Sequence, residues 1–242
     1  RFVHQALTAL YRRALEPAQG VIFQNPDDRA LFLERGILGD PDRVHWVNGS
    51  GVDLEAFPPK PLPDEPIFLM VARLVADKGV REFVAAAREV RKTHPQARFR
   101  LAGGLDPNPA GITSKELEAW VDEGVIEYLG PVHPIQPDLE RCRYYVLPSY
   151  REGTPRSVLE AMATGRPVIT TDAPGCRETV QQGINGLLVP PRDARALAKA
   201  MTELLSSPAA EVQAMADQGL RLARERFSVE RVNNDIFAIL KL

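Results

Sequence analysis

The chain has 242 residues, of which 44% are hydrophobic and 26% charged, so it is long enough to bury a sizeable core. Its formal net charge of −2 argues against a nucleic acid as partner, because nucleic-acid-binding domains present a strong positive field. Two cysteines without metal-type spacing predict a reducing, cytoplasmic environment rather than a disulfide framework. No apolar run approaches the roughly 20 residues that span a bilayer.

The first 47 residues predict a helix, a short strand and a second helix. Apolar residues recur at helical spacing over 2–15, and a strand is expected at 21–24. Asn25 is expected to cap a helix that ends near Arg35. These elements are too few to enclose a core of their own. We therefore expect residues 1–47 to be the terminal piece of an N-terminal domain whose remainder is missing from this chain.

A proline-rich stretch follows this piece. Five prolines fall between residues 57 and 66, a composition typical of a stiff, extended connector. We predict a linker over 48–65, a ligand-binding domain over 66–226 and a C-terminal helix over 227–242. Ser228 is the expected cap of that last helix.

From residue 67 onward, strands and helices alternate six times. This alternation predicts an α/β fold in which a parallel, Rossmann-like, doubly wound sheet of about six strands carries helices on both faces. Strands are expected near 67–73, 98–103, 125–129, 144–148, 167–171 and 186–189, and helices near 79–93, 114–122, 136–142, 155–164, 177–182 and 193–205. Ligands of such sheets bind in the loops that follow the strands, so the informative residues are expected there.

The loop after the fourth strand has the features of a phosphate site. Thr154 is a suitable N-cap and Pro155 a suitable first helical residue, since proline lacks only an N–H that would be unpaired there. The free N–H groups of Arg156 and Ser157 would then point out of the helix end, where the aligned peptide dipoles favour an anion.

Charged side chains surround this helix start. The spacing of Glu152 and Glu160 is compatible with a general acid and base, with acceptors for sugar hydroxyls, or with an ordinary surface and capping pair. Arg73 and Lys78 follow the first strand and suit a diphosphate, because the arginine fork and the lysine charge can share its oxygens. A solvated helix start beside Asp77 explains the two cations equally well.

Other common sites lack support. His4, His45 and His94 are scattered along the chain, so no metal site is expected. Neither the Gly-x-Ser-x-Gly elbow of hydrolases nor the phosphate loop of nucleoside triphosphatases occurs. Cys176 follows the fifth strand and is expected to be a plain packed thiol.

The run EGTPRSVLEAMATGRPVI, from Glu152 to Ile169, resembles the Glu-x7-Glu region of retaining glycosyltransferase family 4, whose members have the GT-B fold. Further matches follow in the family's order: NGSGVD at 48–53, Arg-Leu at 73–74 with Lys-Gly at 78–79, GPV at 130–132 and NGLLVP at 185–190. The resemblance is to the C-terminal, nucleotide-sugar-binding domain, and it covers residues 45–240. The Thr-Pro-Arg-Ser variant is similar to enzymes of capsule, O-antigen and lipid-linked glycan assembly.

The resemblance implies transfer of a hexosyl or N-acetylhexosaminyl group, with retention, from a UDP-sugar or other nucleotide-diphosphate sugar to a glycan or polyprenyl-linked acceptor. It implies no metal and no other cofactor. Arg73 and Lys78 would hold the diphosphate, Glu152 would contact the transferred sugar, and Glu160 would accept from the ribose hydroxyls. The remaining implied contacts are to the base at Val132 and to the phosphates at Thr154, Arg156 and Ser157. Many members have Phe-Gly where this chain has Thr-Pro, so residue 155 offers no amide donor.

Two other functions fit the same residues. The chain is also compatible with a fragment that binds a nucleotide sugar without turnover, and with a GT-B epimerase or phosphorylase. In this family the acceptor site lies on the N-terminal domain, and a lipid-linked acceptor would place the parent enzyme peripherally on the inner face of the membrane.

Overall fold

The computed structural model describes residues 2–241, with side chains from residue 5 onward. Residues 1 and 242 and the side chain of His4, which the predictions above include, lie outside the described part. In chain order the regular elements are helix α1 (Phe2–Leu15), strand β1 (Val21–Phe23), α2 (Pro26–Glu34), β2 (Val44–Trp46), β3 (Ile67–Val71), α3 (Val80–Arg91), β4 (Arg98–Ala102), α4 (Ser114–Asp122), β5 (Glu127–Gly130), α5 (Gln136–Arg141), β6 (Tyr144–Leu147), α6 (Arg156–Ala163), β7 (Val168–Thr171), β8 (Gly186–Val189), α7 (Ala194–Ser206), α8 (Ala209–Arg226) and α9 (Val229–Leu240).

A six-stranded parallel sheet forms the centre of the molecule. Its strand order is β5-β4-β3-β6-β7-β8, and every neighbouring pair is parallel. The predicted α/β fold is therefore confirmed. The chain runs outward from β3 to β5 and then returns to start again at β6. The carboxyl ends of β3 and β6 thus form the switch point at which such sheets bind ligands.

Continuous apolar runs explain why these strands lie at the centre. All four residues of β6 are buried, as are the first four of β3, which is the pattern of a parallel strand with both faces covered. The ring of Phe68 stacks between those of Phe99 and Tyr144, with centroid distances of 5.3 and 4.7 Å. This stack joins β3 to both of its neighbours.

One predicted helix is wrong. Residues 177–182 form turns and a bridge rather than a helix. The side chain of Asn185 accepts from the amide of Gln181 (2.7 Å) and donates to the carbonyl of Thr179 (3.0 Å), so a side chain satisfies groups that a helix would pair internally. The other predicted helices and all six strands of this region are confirmed, with ends shifted by one or two residues.

Residues 16–47 contain a second, smaller sheet. Strand β1 pairs in parallel with β2, a strand that the sequence interpretation missed. The predicted cap of α2 is confirmed, since the side chain of Asn25 accepts from the amide of Asp28. Ile37, Leu38 and Val44 form a small apolar cluster apart from the main core.

The connecting segment is tied to the C-terminal helices and to the sheet domain. The amide of Val52 donates to the carbonyl of Phe227 (2.7 Å), and the amide of Val229 donates to the carbonyl of Val52 (3.1 Å). Ser228 caps α9 as predicted. The fully buried Arg166 donates to the carbonyl of Pro61 (2.9 Å), and burial lowers the pKa of its guanidinium. The division into domains at 47, 65 and 226 stays a prediction.

Between residues 2 and 241, no helix combines the length and the apolar character that a bilayer crossing would need.

Candidate functional site

A cleft of about 950 Å³ opens at the switch point of the sheet, beside the carboxyl ends of β3 and β6. Six of the eight predicted site residues line it: Arg73, Lys78, Glu152, Arg156, Ser157 and Glu160. A second groove of about 880 Å³ lies between α3 and α7 and contains none of the predicted residues. The residues that follow separate strands in the sequence are thus brought together in one place.

Lys78 and Glu152 form an ion pair in the wall of the cleft. The Nζ atom of Lys78 lies 2.5 Å from Oε1 of Glu152, and only 21% and 13% of the two side chains are exposed. Lys78 ends a short 3₁₀ turn that packs against the end of β6, where Gly79 has φ of +73°. A Cβ atom at Gly79 would lie 2.1 Å from the carbonyl oxygen of Pro148, so glycine permits this approach and thereby places Lys78.

Among the residues that the structure describes, Glu160 has no close partner for its carboxylate. Its side chain is 14% exposed, and the nearest cation, the Nη2 atom of Arg156, lies 3.7 Å from its Oε1. Burial raises the pKa of Glu160 above its ordinary value, and the charge of Arg156 opposes this only in part. Since the Arg156 side chain is 71% exposed, water screens that pair. The Glu160 oxygens therefore keep capacity to accept hydrogen bonds from a ligand.

Helix α6 begins one residue later than predicted. Helix α6 begins at Arg156, with Pro155 as its N-cap, so Thr154 is not the cap. The buried Thr154 hydroxyl instead donates to the carbonyl of Gln24, at 2.8 Å. The Thr154 side chain thus makes a tertiary contact instead of a local cap. The amides of Arg156 and Ser157 still lie in the first turn of α6, where helical amides have no partner inside the helix.

Arg73 lies at the rim of the cleft. Its side chain is 72% exposed, and Nη1 lies 3.0 Å from Oδ2 of Asp106, in the loop after β4. Because the two residues are 33 positions apart, only the parallel pairing of β3 with β4 reveals their contact.

Val132 is half-buried two residues after β5, outside the lining of the cleft, whereas its neighbour His133 lines it. Apolar and amide side chains that the sequence did not single out complete the wall: Phe57, Val71, Ile135, Gln136 and Leu147. Phe57 comes from the proline-rich segment. No local signal marks it, since its place depends on the path of that segment over the sheet.

Two further expectations concern metals and thiols. Among the side chains of residues 5–241, no three His, Cys, Asp or Glu lie close enough together to hold a metal ion. Cys176 is buried behind the cleft, and burial raises the pKa of its thiol to about 11, as expected of a packed thiol.

Comparison with known proteins places this fold and cleft in a family. The family model described as glycosyl transferases group 1 matches residues 65–207, which is more than half of the chain. The chain belongs to this family. The matched range contains the whole six-stranded sheet and every predicted site residue.

Curated relatives extend the similarity. The chain is 32% identical over 219 residues to the N,N'-diacetylbacillosaminyl-diphospho-undecaprenol alpha-1,3-N-acetylgalactosaminyltransferase of Campylobacter jejuni, covering 85% of this chain and 55% of the relative. It is 29% identical over 215 residues to a putative colanic acid biosynthesis glycosyltransferase of Escherichia coli, WcaL, covering 84% and 52%. The chain thus spans about half the length of these relatives.

Solved structures show the same architecture. Sucrose-phosphate synthase from Thermosynechococcus elongatus superposes with a TM-score of 0.84 at 29% identity, over 98% of this chain and 61% of that protein. Anabaena HepE in complex with UDP-glucose superposes with a TM-score of 0.81 at 22% identity, over 97% and 68%. The fold is that of GT-B glycosyltransferases, as predicted.

Proposed function

We propose that this chain is the donor-binding part of a retaining glycosyltransferase of family 4. Its donor is a UDP-sugar, its transferred group a hexosyl or N-acetylhexosaminyl group, and its acceptor a glycan or polyprenyl-linked glycan. The observation that carries the proposal is the cleft itself, in which a cation, a helix start and a buried carboxylate without a close partner converge at the switch point.

The diphosphate is the group that the cationic side of the cleft suits. Lys78 offers a largely buried ammonium, and the first turn of α6 offers the amides of Arg156 and Ser157. Arg73 adds a second, more exposed charge at the rim. When the bond from the sugar to the diphosphate breaks, negative charge grows on the leaving oxygen, and donors already in place stabilise it most effectively.

The two carboxylates divide the rest of the donor between them. Glu160 accepts from the ribose hydroxyls, since its oxygens have no near cation and lie inside the cleft. Glu152 accepts from hydroxyls of the transferred sugar, next to the ammonium of Lys78. The backbone around Val132 contacts the base. Thr154 contributes by holding the turn before α6 rather than by contacting a phosphate, because its hydroxyl is already used.

Two features of the relatives support the choice of donor and acceptor. The Campylobacter relative is named as an N-acetylgalactosaminyltransferase acting on an undecaprenol-linked diphosphate sugar. The Anabaena structures contain UDP and UDP-glucose. In our proposal residues 1–47 end an acceptor domain, residues 48–65 link it to the donor domain, and the parent enzyme works in the cytoplasm at the inner membrane face.

A thermal-shift screen tests the proposal. A ligand that binds only the folded chain raises its melting temperature, so UDP and at least one UDP-sugar should do so more strongly than ADP or GDP. Absence of a shift with every nucleotide would contradict the proposal. A version of the protein that includes the acceptor domain should transfer sugar, and this chain alone should not. Turnover by this chain alone would contradict the division of labour between domains.

A further inference from the structure

The loop that carries Glu152 is attached to helix α2 through one buried side chain. Asn25 is fully buried at the N-terminus of α2. Its Oδ1 accepts from the amide of Asp28 at 2.7 Å, which caps the helix. Its Nδ2 donates to the carbonyl oxygens of Glu152 and Gly153, each at 3.1 Å, and also to Oδ2 of Asp28 at 2.9 Å. One amide therefore caps α2 and holds the backbone of a cleft residue 127 positions away.

Gln24 adds a second contact to the same loop. The Thr154 hydroxyl donates to the carbonyl of Gln24 at 2.8 Å, and a Cβ atom at Gly153 would lie 2.3 Å from Oε1 of the Gln24 side chain. A side chain at position 153 would therefore displace that of Gln24. We call this contact of Gln24 and Asn25 with residues 152–154 the loop clamp.

The opposite side of Glu152 is held as well. Its amide donates to the carbonyl of Pro174 at 2.9 Å. A Cβ atom at Gly175, which has φ of +82°, would lie 2.2 Å from the carbonyl oxygen of Glu152. With the clamp on one side, the Pro174 turn on the other and Lys78 on the carboxylate, the position of Glu152 is fixed in three directions.

We propose that Asn25 is a positioning residue for sugar recognition. Through the loop clamp it holds Glu152 where that carboxylate meets the transferred sugar, so the segment before the linker controls how well the cleft tells a nucleotide sugar from the bare nucleotide. This inference rests on the proposed function, because it takes Glu152 as the sugar ligand. A group held within a fraction of an ångström binds better than one that must be ordered at binding.

Two features separate this role from ordinary helix capping. Capping needs only Oδ1, and aspartate caps helices about as well as asparagine. The Nδ2 bonds to the loop are additional, and aspartate cannot make them. Two ion pairs flank the clamp, Asp27 with Arg177 and Asp28 with Arg151. Their side chains are between 28% and 50% exposed, so water screens both pairs and they add little to the stability of the contact.

The test is Asn25→Asp, assayed by calorimetry with UDP and with whichever of UDP-glucose, UDP-N-acetylglucosamine and UDP-N-acetylgalactosamine binds the wild-type chain best. The substitution keeps a cap but turns a carboxylate toward two carbonyl oxygens, which pushes the loop away, and toward the Asp28 carboxylate in the first turn of α2. We expect the dissociation constant for UDP to stay within about twofold and that for the UDP-sugar to rise by about tenfold, the scale of one lost charge-assisted contact.

A double-mutant cycle with Glu152→Ala distinguishes a positioning role from a general loss of structure. The quantity compared is the ratio of the dissociation constant for the UDP-sugar to that for UDP. Once Glu152 is removed, adding Asn25→Asp should not change this ratio further, because the clamp acts only through that carboxylate. Thr113→Ala is the matched control, since it removes the N-cap of α4 away from the cleft, and it should leave the ratio unchanged. Should Asn25→Asp fail to fold, Thr154→Val removes the other bond of the clamp and should raise the ratio in the same direction.

The outcomes separate this inference from the proposed function. If the wild-type chain binds UDP and a UDP-sugar but the ratio is the same in Asn25→Asp, or in Thr154→Val where that variant replaces it, the positioning role is wrong and the donor site stands. An effect that persists undiminished in the Glu152→Ala background also overturns it. If the wild-type chain binds neither ligand, the proposed function and this inference both fall.

Discussion

Carboxylates in two regions of this molecule have opposite environments. Along the outer edge that helices α3 and α4 form, Glu116 lies 2.9 Å from Nε of Arg81, and Glu123 lies 2.6 Å from Nη2 of Arg88. The hydrogen bond from Arg81 lowers the pKa of Glu116 to about 2. In the cleft, burial raises the pKa of Glu160, whose nearest cation is 3.7 Å away.

The difference shows which carboxylates are complete in the folded chain. On the outer edge each acid has an arginine partner, so nothing further is needed to satisfy it. In the cleft, folding buries an acid and leaves most of its hydrogen-bonding capacity unused, at a cost in stability. Such strained ionisable groups cluster at functional sites, and a ligand with hydroxyl donors would supply what the fold does not. Four substitutions test this contrast.

The largest effect should come from Lys78→Ala. It removes the buried cation of the cleft and leaves Glu152 as an unpaired negative charge beside the proposed phosphates. We expect the affinity for UDP to fall by about 1 to 3 kcal/mol, the range for charged, hydrogen-bonded partners. Titration calorimetry measures it. Lys92→Ala is the control, because Lys92 forms an exposed pair with Glu89 on α3 and should not affect UDP.

Glu160→Gln should weaken the binding of UDP by about 1 kcal/mol, since a hydrogen bond to a charged acceptor is replaced by one to a neutral acceptor. The same change should stabilise the free chain. The pKa of Glu160 is raised in the folded state above its ordinary 4.5, so its favourable contribution is present below about pH 4.5 and lost as pH rises through the folded value.

The melting temperature of Glu160→Gln should therefore exceed that of the wild type at neutral pH, and the gain should vanish below about pH 4. A variant that is less stable at neutral pH, or that binds UDP as tightly as the wild type, would contradict the reading of Glu160 as a buried ligand-binding carboxylate.

Arg73→Ala should have a smaller effect than Lys78→Ala, about 1 kcal/mol on UDP at most, because the side chain is mostly exposed and its charge is shared with Asp106. Asp106→Asn provides the complement: it frees Arg73 and should leave UDP binding unchanged or slightly stronger. Equal losses in the arginine and lysine variants would show that the rim contributes as much as the wall.

The smallest effect on the ligand should come from the outer edge. Glu116→Gln should leave UDP binding unchanged. It should remove stability that the wild type has above about pH 4.5 and loses as pH falls toward 2, because the pKa of Glu116 is lowered in the folded state. Acid unfolding followed by circular dichroism would show the two curves converging at low pH. A change in UDP affinity would contradict the distinction between the carboxylates of the outer edge and those of the cleft.

Much of the fold could be predicted because its signals are local. The apolar runs of β3 and β6 identify buried parallel strands without any partner, and the alternation with helices sets their direction. The cleft residues could be predicted for the same reason, since each follows a strand and the ends of parallel strands meet at one edge.

What could not be predicted depends on contacts that the local sequence pattern does not reveal. Thr154 looks like a cap because its sequence suits one, yet Gln24, 130 positions away, takes its hydroxyl. Residues 177–182 look helical, yet the side chain of Asn185 satisfies their backbone. Likewise, neither strand β2 nor the partner of Arg73 has a local signal. In each case a specific contact, local for Asn185 and tertiary for the others, decides between conformations that local propensity leaves close in energy.

The most direct measurement compares UDP with a UDP-sugar in calorimetric titrations of Glu152→Ala and Glu160→Ala. Glu160→Ala should lower the affinity for both ligands by a similar factor, because both contain the ribose. Glu152→Ala should weaken the UDP-sugar and leave UDP nearly unchanged, because only the former contains the transferred sugar. Equal losses for both ligands in both variants would contradict the assignment of one carboxylate to the ribose and the other to the sugar.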